Sequence, residues 1–263
     1  MSVPLSFLRA DSIATGTQAG ASLGEVIAAR ITDSGKVTTL LDCLCATSTP
    51  AIYSPDSSRP PLSHHDLRGF VSQFSLPCSN DRQLGPNDRV MLVLETGPEN
   101  ALALLAIASY HTCAPVNANC TAAELRDDAQ RLGAKAVVTT RAVEERLNLS
   151  GLRHDLGCRI IYVESRSSGP AGLFDMKLMG ENQSEPSPSS SPSTLHSLRD
   201  ISLVLHTSGT SGKKKVVRYP LGSLLVGTWS VVESWGLQTT DVNCQHFLCS
   251  AYSSASDKIL QLT

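Results

Sequence analysis

Between Gly85 and Glu164 short apolar runs alternate with segments of helical length, and no other feature restricts the fold as much. Gly85-Pro86-Asn87-Asp88 reads as a turn, and Arg89 to Glu95 is an apolar run with the length of a buried strand. Gly97-Pro98 then opens a helix from Glu99 to about His111, because proline is tolerated in a first turn whose N–H groups lack partners anyway. A second strand is expected over 114–117. Thr121 with Glu124 makes a capping box, followed by the apolar stripe Leu125, Ala129, Leu132 and a stop at Gly133. Residues 134–140 predict a third strand, 143–152 a helix and 159–164 a fourth strand. Strands joined by helices of this length imply right-handed βαβ crossovers, hence an α/β fold with a largely parallel sheet flanked by helices.

The flanks are less regular. Residues 1–50 carry Gly, Ser and Thr punctuation, with one helix expected over 23–32. Ser63 followed by Asp66 is an N-cap pair, and Leu67, Phe70, Val71 and Phe74 then recur at amphipathic-helix spacing. From 165 to 197 the composition shifts to Ser and Pro, which cannot supply a packed face, so this span is expected to be a mobile surface insertion. An apolar strand resumes over 201–206. Beyond it Leu221, Leu224, Leu225, Thr228, Val231, Val232 and Trp235 fit one helix with that stripe inward.

Lys and Arg number 22 against 24 Asp and Glu, so the charge balance suggests neither nucleic acid nor an anionic membrane as a partner. No apolar stretch approaches the roughly 20 residues that span a bilayer. The eight cysteines lack the paired spacing of a zinc site, so no metal is assigned to them, and they read as reduced thiols of a cytoplasmic protein. His64 and His65 have no partner at ligand spacing, and Glu144 and Glu145 would point about 100° apart on a helix, which makes both pairs surface features.

Chemistry concentrates in Thr207-Ser208-Gly209-Thr210-Ser211-Gly212-Lys213-Lys214-Lys215. A site for a triphosphate needs backbone N–H groups that approach closely, hydroxyls for the oxygens and a cation. Gly209 and Gly212 permit the approach, Thr207, Ser208, Thr210 and Ser211 supply hydroxyls, and the lysines supply charge. A P-loop NTPase requires G-x-x-x-x-G-K-[ST], but Thr207 occupies the first glycine position and Lys214 the magnesium-binding hydroxyl position. No G-x-G-x-x-G follows a strand, so a Rossmann dinucleotide site has no support either.

The run Leu203 to Val217 resembles the T-S-G-T-T-G-x-P-K-G-V signature of the adenylate-forming (ANL) superfamily: acyl-CoA synthetases, nonribosomal peptide synthetase adenylation domains and luciferases. Lys215 falls on the family lysine, whereas Lys214 replaces its proline and Val216 its following glycine. Gly85-Pro86-Asn87-Asp88-Arg89-Val90 and Ala114-Pro115-Val116-Asn117 resemble the strand-opening and A-x-x-P-x-N stretches of the same domains, in the same order. The three lysines and the His206-Thr207 start are most similar to fungal synthetase-like proteins. The resemblance implies a partial ANL-type N-terminal domain over 51–243, after a weakly patterned segment 1–50 and before a divergent tail 244–263. It also implies that ATP and a carboxylic acid form an acyl-adenylate, which passes to a thiol of coenzyme A or phosphopantetheine. Thr207, Ser208, Gly209, Thr210, Ser211, Gly212 and Lys215 would hold the β- and γ-phosphates, with Mg²⁺ neutralising charge.

The family's adenine-binding Y-G-x-T-E segment, ribose-binding aspartate and C-terminal lysine domain have no counterpart in these 263 residues, and His246 lacks the apolar strand that carries the family histidine. The expectation is therefore a truncated relative of an acid-thiol ligase, catalytically incomplete alone and with no assignable catalytic residue. The alternative is a noncatalytic interaction module or weak nucleotide-binding module derived from that domain. A half-built domain would also expose apolar surface, so self-association is expected.

Overall fold

A computed structural model describes residues 37–77, 84–180, 194–207, 215–237 and 241. The helix expected over 23–32 and the divergent tail lie outside these residues. The described chain runs α1 (Leu40–Cys43), β1 (Pro50–Ile52), β2 (Leu62–Ser63), α2 (His64–Ser72), β3 (Arg89–Val93), α3 (Pro98–Tyr110), β4 (Thr112–Pro115), α4 (Ala122–Leu132), β5 (Ala136–Thr139), α5 (Arg141–Leu147), α6 (Ser150–Leu156), β6 (Arg159–Ser165), β7 (Phe174–Leu178), β8 (Ile201–Thr207), β9 (Lys215–Pro220) and α7 (Leu221–Trp235). Strands β1 and β2 form a small antiparallel ribbon, while the other seven make one sheet in the order β7-β6-β5-β3-β4-β8-β9. Pairings from β6 through β8 are parallel, and the two outer strands are antiparallel to their neighbours.

Alternation along continuous apolar strands divides the core in two. Val90, Leu92 and Leu94, with Ala136, Val138, Ile161 and Val163, pack under α2 and α3. Met91 and Val93, with Ala114, Val137, Ile160 and Tyr162, pack under α4, α5 and α6. Side chains of period two on a sheet buried from both sides produce this division, and they explain why the strands look uniformly apolar in sequence. The helix after β3 covers one face and the helix after β4 the other, as right-handed crossovers running in opposite directions along the sheet require.

Local signals act where expected. The Ser63 hydroxyl accepts the Asp66 N–H at 3.0 Å and caps α2. Thr121 Oγ1 accepts from the Glu124 N–H while Glu124 Oε2 accepts from the Thr121 N–H at 2.8 Å, and Gly133 closes α4 at φ 60°.

Four expectations are corrected. The helix predicted over 143–152 is two short helices, separated where Asn148 adopts φ 47°, a left-handed conformation that asparagine tolerates better than most residues. The front of the supposed mobile insertion 165–197 contains β7, which pairs with β6 over Phe174 to Leu178, and its end contains the fully buried His196; residues 181–193 lie outside the described chain. Strand β9 stands between the loop and α7. The stripe assigned to the inside of α7 does not face inward throughout: Leu221 and Trp229 are buried, whereas Thr228, Val231 and Trp235 are exposed.

Candidate functional site

All five parallel strands end on the same edge of the sheet. Chain order reverses there, because β3 leads through α3 to β4 on one side, and β4 leads through α4 to β5 on the other. In open α/β sheets such a reversal leaves a crevice outside the strand ends where ligands bind. The loops bordering it are fixed. The Asn100 side-chain amide donates to the Leu94 and Glu95 carbonyls at 3.1 Å each, holding the β3–α3 connection against the helix it opens. Thr139 Oγ1 donates to the Val93 carbonyl at 3.0 Å, Val116 N–H donates to the Leu92 carbonyl at 2.9 Å, and the Arg146 guanidinium donates to the Ala118 carbonyl.

One rim of the crevice is braced by an ion pair that links distant segments. Arg59 and Glu99 meet at 2.6 Å with side chains 13% and 16% exposed, and Arg59 Nη2 also donates to the Pro170 carbonyl at 3.0 Å. Gly172, at φ 89°, lets the turn before β7 press on α3. A Cβ there would lie 3.0 Å from the Pro98 carbonyl oxygen, a position no side chain could occupy without displacing backbone.

The other side of the crevice belongs to β8 and β9. Cys113 of β4 lies opposite Leu203 of β8, so Asn117, just past β4, falls level with Thr207, the last residue of β8. Strand β9 returns antiparallel, with His206 opposite Val216 and Thr207 opposite Lys215. Of the residues proposed to hold phosphate, Thr207 and Lys215 are thus a cross-strand pair at the base of a hairpin, and the Lys215 side chain is exposed. Ser208, Gly209, Thr210, Ser211 and Gly212 lie outside the described residues, within the loop that this pair closes. The loop therefore leaves the carboxyl edge of the sheet next to the strand-order reversal, and it connects two strands rather than a strand and a helix.

These features suit an anionic group of several oxygens. The first described residue after the loop opens β9 rather than a helix, so the hydroxyls and lysines for such a group are those the loop's own sequence supplies. No cluster of His, Cys, Asp or Glu that could hold a metal ion occurs among the described residues, and none of their helices is long and apolar enough to cross a membrane. Among the described residues no disulfide joins Cys43, Cys45, Cys113, Cys120 or Cys158. Burial pushes the Cys43 thiol up to about 11, far from the range of a reactive thiolate.

Two buried groups escaped the sequence reading. His111 and His196 each bond a carbonyl of the turn before β3. His111 stood at the expected end of a helix, and His196 follows a serine-rich run, with no periodicity to reveal that either faces inward.

The model of the AMP-binding enzyme family matches residues 50–252, extending past the boundary expected at 243. No curated protein sequence matches the chain. Among solved structures, an acyl-CoA synthetase of Brucella canis superposes with a TM-score of 0.58 at 18% identity, covering 89% of this chain and 42% of that one. Apo MatB of Rhodopseudomonas palustris gives 0.52 at 18% identity, covering 80% and 37%, and ATP-bound MatB of the same organism gives 0.51 at 17%, covering 75% and 38%. The chain thus spans about two fifths of the length of the structures it matches.

Proposed function

We propose, for a chain that belongs to the AMP-binding enzyme family, that it forms part of an ATP-dependent, carboxylate-activating acid-thiol ligase of the acyl-CoA synthetase kind. The observation that carries this reading is the placement of the Thr207–Lys215 hairpin at the carboxyl edge of the parallel sheet, beside the strand-order reversal. In this reading Thr207, Ser208, Gly209, Thr210, Ser211, Gly212 and Lys215 grip the β- and γ-phosphates of ATP. Mg²⁺, when bound, neutralises charge on those oxygens, which makes pyrophosphate a better leaving group. The loop positions phosphate and does not attack it. Nucleophile and electrophile come from the two substrates, a carboxylic acid and ATP, and a thiol of coenzyme A or phosphopantetheine receives the acyl group.

These 263 residues alone are proposed to grip phosphate without completing adenylation. They span under half of each matched structure and contain no segment resembling the family's adenine, ribose or C-terminal lysine motifs. Walls that hold base and sugar supply most of a nucleotide site's selectivity, so binding by the loop alone is weak. A second reading, an interaction module without catalysis, is favoured by one observation: Trp235 is 70% exposed and shares α7 with the exposed Val231.

The test is ATP-dependent thermal stabilisation of the 263-residue chain, with and without Lys215→Ala, beside pyrophosphate exchange over a panel of carboxylates. Stabilisation follows RT ln(1 + [L]/Kd), so millimolar ATP against a millimolar site adds only about 0.4 kcal/mol, and Lys215→Ala should abolish it. A shift that Lys215→Ala leaves intact would remove the phosphate role, and carboxylate-dependent exchange by this chain would overturn its proposed incompleteness.

A further inference from the structure

The amino edge of the sheet, opposite the crevice, holds a buried polar seam that phosphate binding does not use. Adjacent carbonyls of the turn before β3 each receive an imidazole. His111, at the end of α3, sets Nδ1 3.0 Å from the Gly85 carbonyl, and His196, five residues before β8, sets Nε2 2.8 Å from the Pro86 carbonyl. His196 also donates its backbone N–H to the Ser109 carbonyl at 2.8 Å. Two hydroxyls continue the seam, Ser202 Oγ donating to the Ala108 carbonyl at 2.5 Å and Thr112 Oγ1 to the Ile201 carbonyl at 2.7 Å. Beyond the seam, Cys113 opposite Leu203 is the register pair that joins β8 to β4. These contacts fasten the amino end of β8, and Leu203 and Val204 further along the strand pack against the two cores.

A carbonyl only accepts, so each imidazole must place its proton on the nitrogen facing the turn: Nδ1 in His111 and Nε2 in His196. His196 is 0% exposed, and its remaining nitrogen, Nδ1, has no hydrogen-bond partner among the described residues. A second proton there would create a buried cationic N–H without an acceptor, beside a second buried imidazole. We propose that His111 and His196 form an acid-released latch that fastens the β8–β9 arm, and with it the phosphate loop, to the turn before β3.

The surrounding charges do not remove this penalty. Asp88 acts on His111 but already accepts the Gly85 N–H at 2.8 Å, and Asp200 acts on His196 but already accepts the Ser197 N–H at 2.7 Å and its hydroxyl at 2.8 Å. The end of α3 contributes Ala108, Ser109 and Tyr110, and β8 opens with Ile201 and Ser202, none of them charged at neutral pH. Burial holds the His111 imidazole below its ordinary value; the Gly85 carbonyl and Asp88 pull it up, and His196 pushes it further down. A group depressed in the folded state binds fewer protons there than in the open state. The latch is accordingly closed above about pH 6.5, the value for an unperturbed histidine, and weakens as pH falls through it toward the depressed folded value. Each proton taken up on opening contributes at most about tenfold per pH unit to the opening equilibrium.

Hydrogen exchange of the full 263-residue chain from pH 8 to pH 5, corrected for intrinsic rates, tests the latch without ATP and so independently of what the loop binds. Amides of 201–207 and 215–220 should lose several-fold, up to about eightfold, in protection between pH 7 and pH 5.5, while those of 136–139 and 159–165 keep theirs. His111→Gln keeps a donor for the Gly85 carbonyl but removes the ring that burial holds below its ordinary value, and it should flatten the pH dependence of the arm. Unchanged protection of the wild-type arm, loss spread evenly over the sheet, or the same pH slope in His111→Gln would each overturn the proposal. The wild-type series decides the locality of the effect even if the variant does not fold.

Discussion

The sheet interior and the β8–β9–α7 arm are built from similarly apolar sequence yet are held in unlike ways. Strands β3, β5 and β6 pair along their whole lengths, and their side chains are almost fully enclosed between helices on two faces. In the arm, β9 is half-buried or exposed along its length, and α7 buries Leu221 and Trp229 while leaving Trp235 in solvent. Burial fixes the first region on both faces, whereas the second is anchored through β8, by Val204 in the core and polar contacts at the strand's amino end, and its outer elements β9 and α7 are less enclosed. The residues proposed to bind phosphate are on the less secured region, where a loop can approach a ligand without disturbing the core.

The strongest challenge to this contrast is a cavity in each region. Leu102→Ala on α3 removes a side chain with no exposure from the larger cluster, and urea denaturation should show a loss of about 3 kcal/mol across the whole cooperative transition. Trp229→Ala deletes more atoms but should cost less, about 2 kcal/mol. Trp229 is the one buried member of its cluster, its partners Val37, Leu198, Leu225 and Val226 being only partly buried, so they can close over the space or become wet. Its effect should also be local, with hydrogen exchange faster in β8, β9 and α7 and unchanged in β5 and β6. If Trp229→Ala lowered global stability more than Leu102→Ala, the arm would be integral to the core and the contrast would fail.

How legible each region was follows from the same physics. The capping box at Thr121 and Glu124, the left-handed stop at Gly133 and the continuous apolar runs of β3, β5 and β6 are local devices, and each was readable because one residue's chemistry dictates one backbone outcome. Strand β7 was equally readable, since Phe174, Met176 and Leu178 alternate with Asp175 and Lys177. Its neighbourhood was misjudged because the Ser/Pro composition that follows was extended backward over it. Asn148 likewise offered a signal for the break between α5 and α6. Strand β9 was hidden by its overlap with the lysines of the loop. For the candidate site, residue chemistry pointed to the loop and the donors proposed for it, whereas the pairing of the two antiparallel strands that flank it depended on non-local contacts. The burial of His196 left no trace in sequence, because an isolated histidine acquires its surroundings only when the turn before β3 and the end of α3 meet around it.

The smallest expected effect on stability is the one that best separates packing from function in the arm. Trp235 is 70% exposed, so Trp235→Ser removes few native contacts and should change unfolding free energy by no more than about 0.5 kcal/mol. An exposed indole close to Val231 on an apolar helix is nevertheless the kind of surface that associates, and an aromatic anchor contributes disproportionately where it does. Sedimentation equilibrium of the purified chain should therefore show concentration-dependent self-association that Trp235→Ser weakens at least several-fold while melting remains unchanged. A monomer at all concentrations would remove the observation favouring an interaction module. A large loss of stability in Trp235→Ser would mean instead that the end of α7 packs as tightly as the parallel core, against the weak attachment that distinguishes the arm.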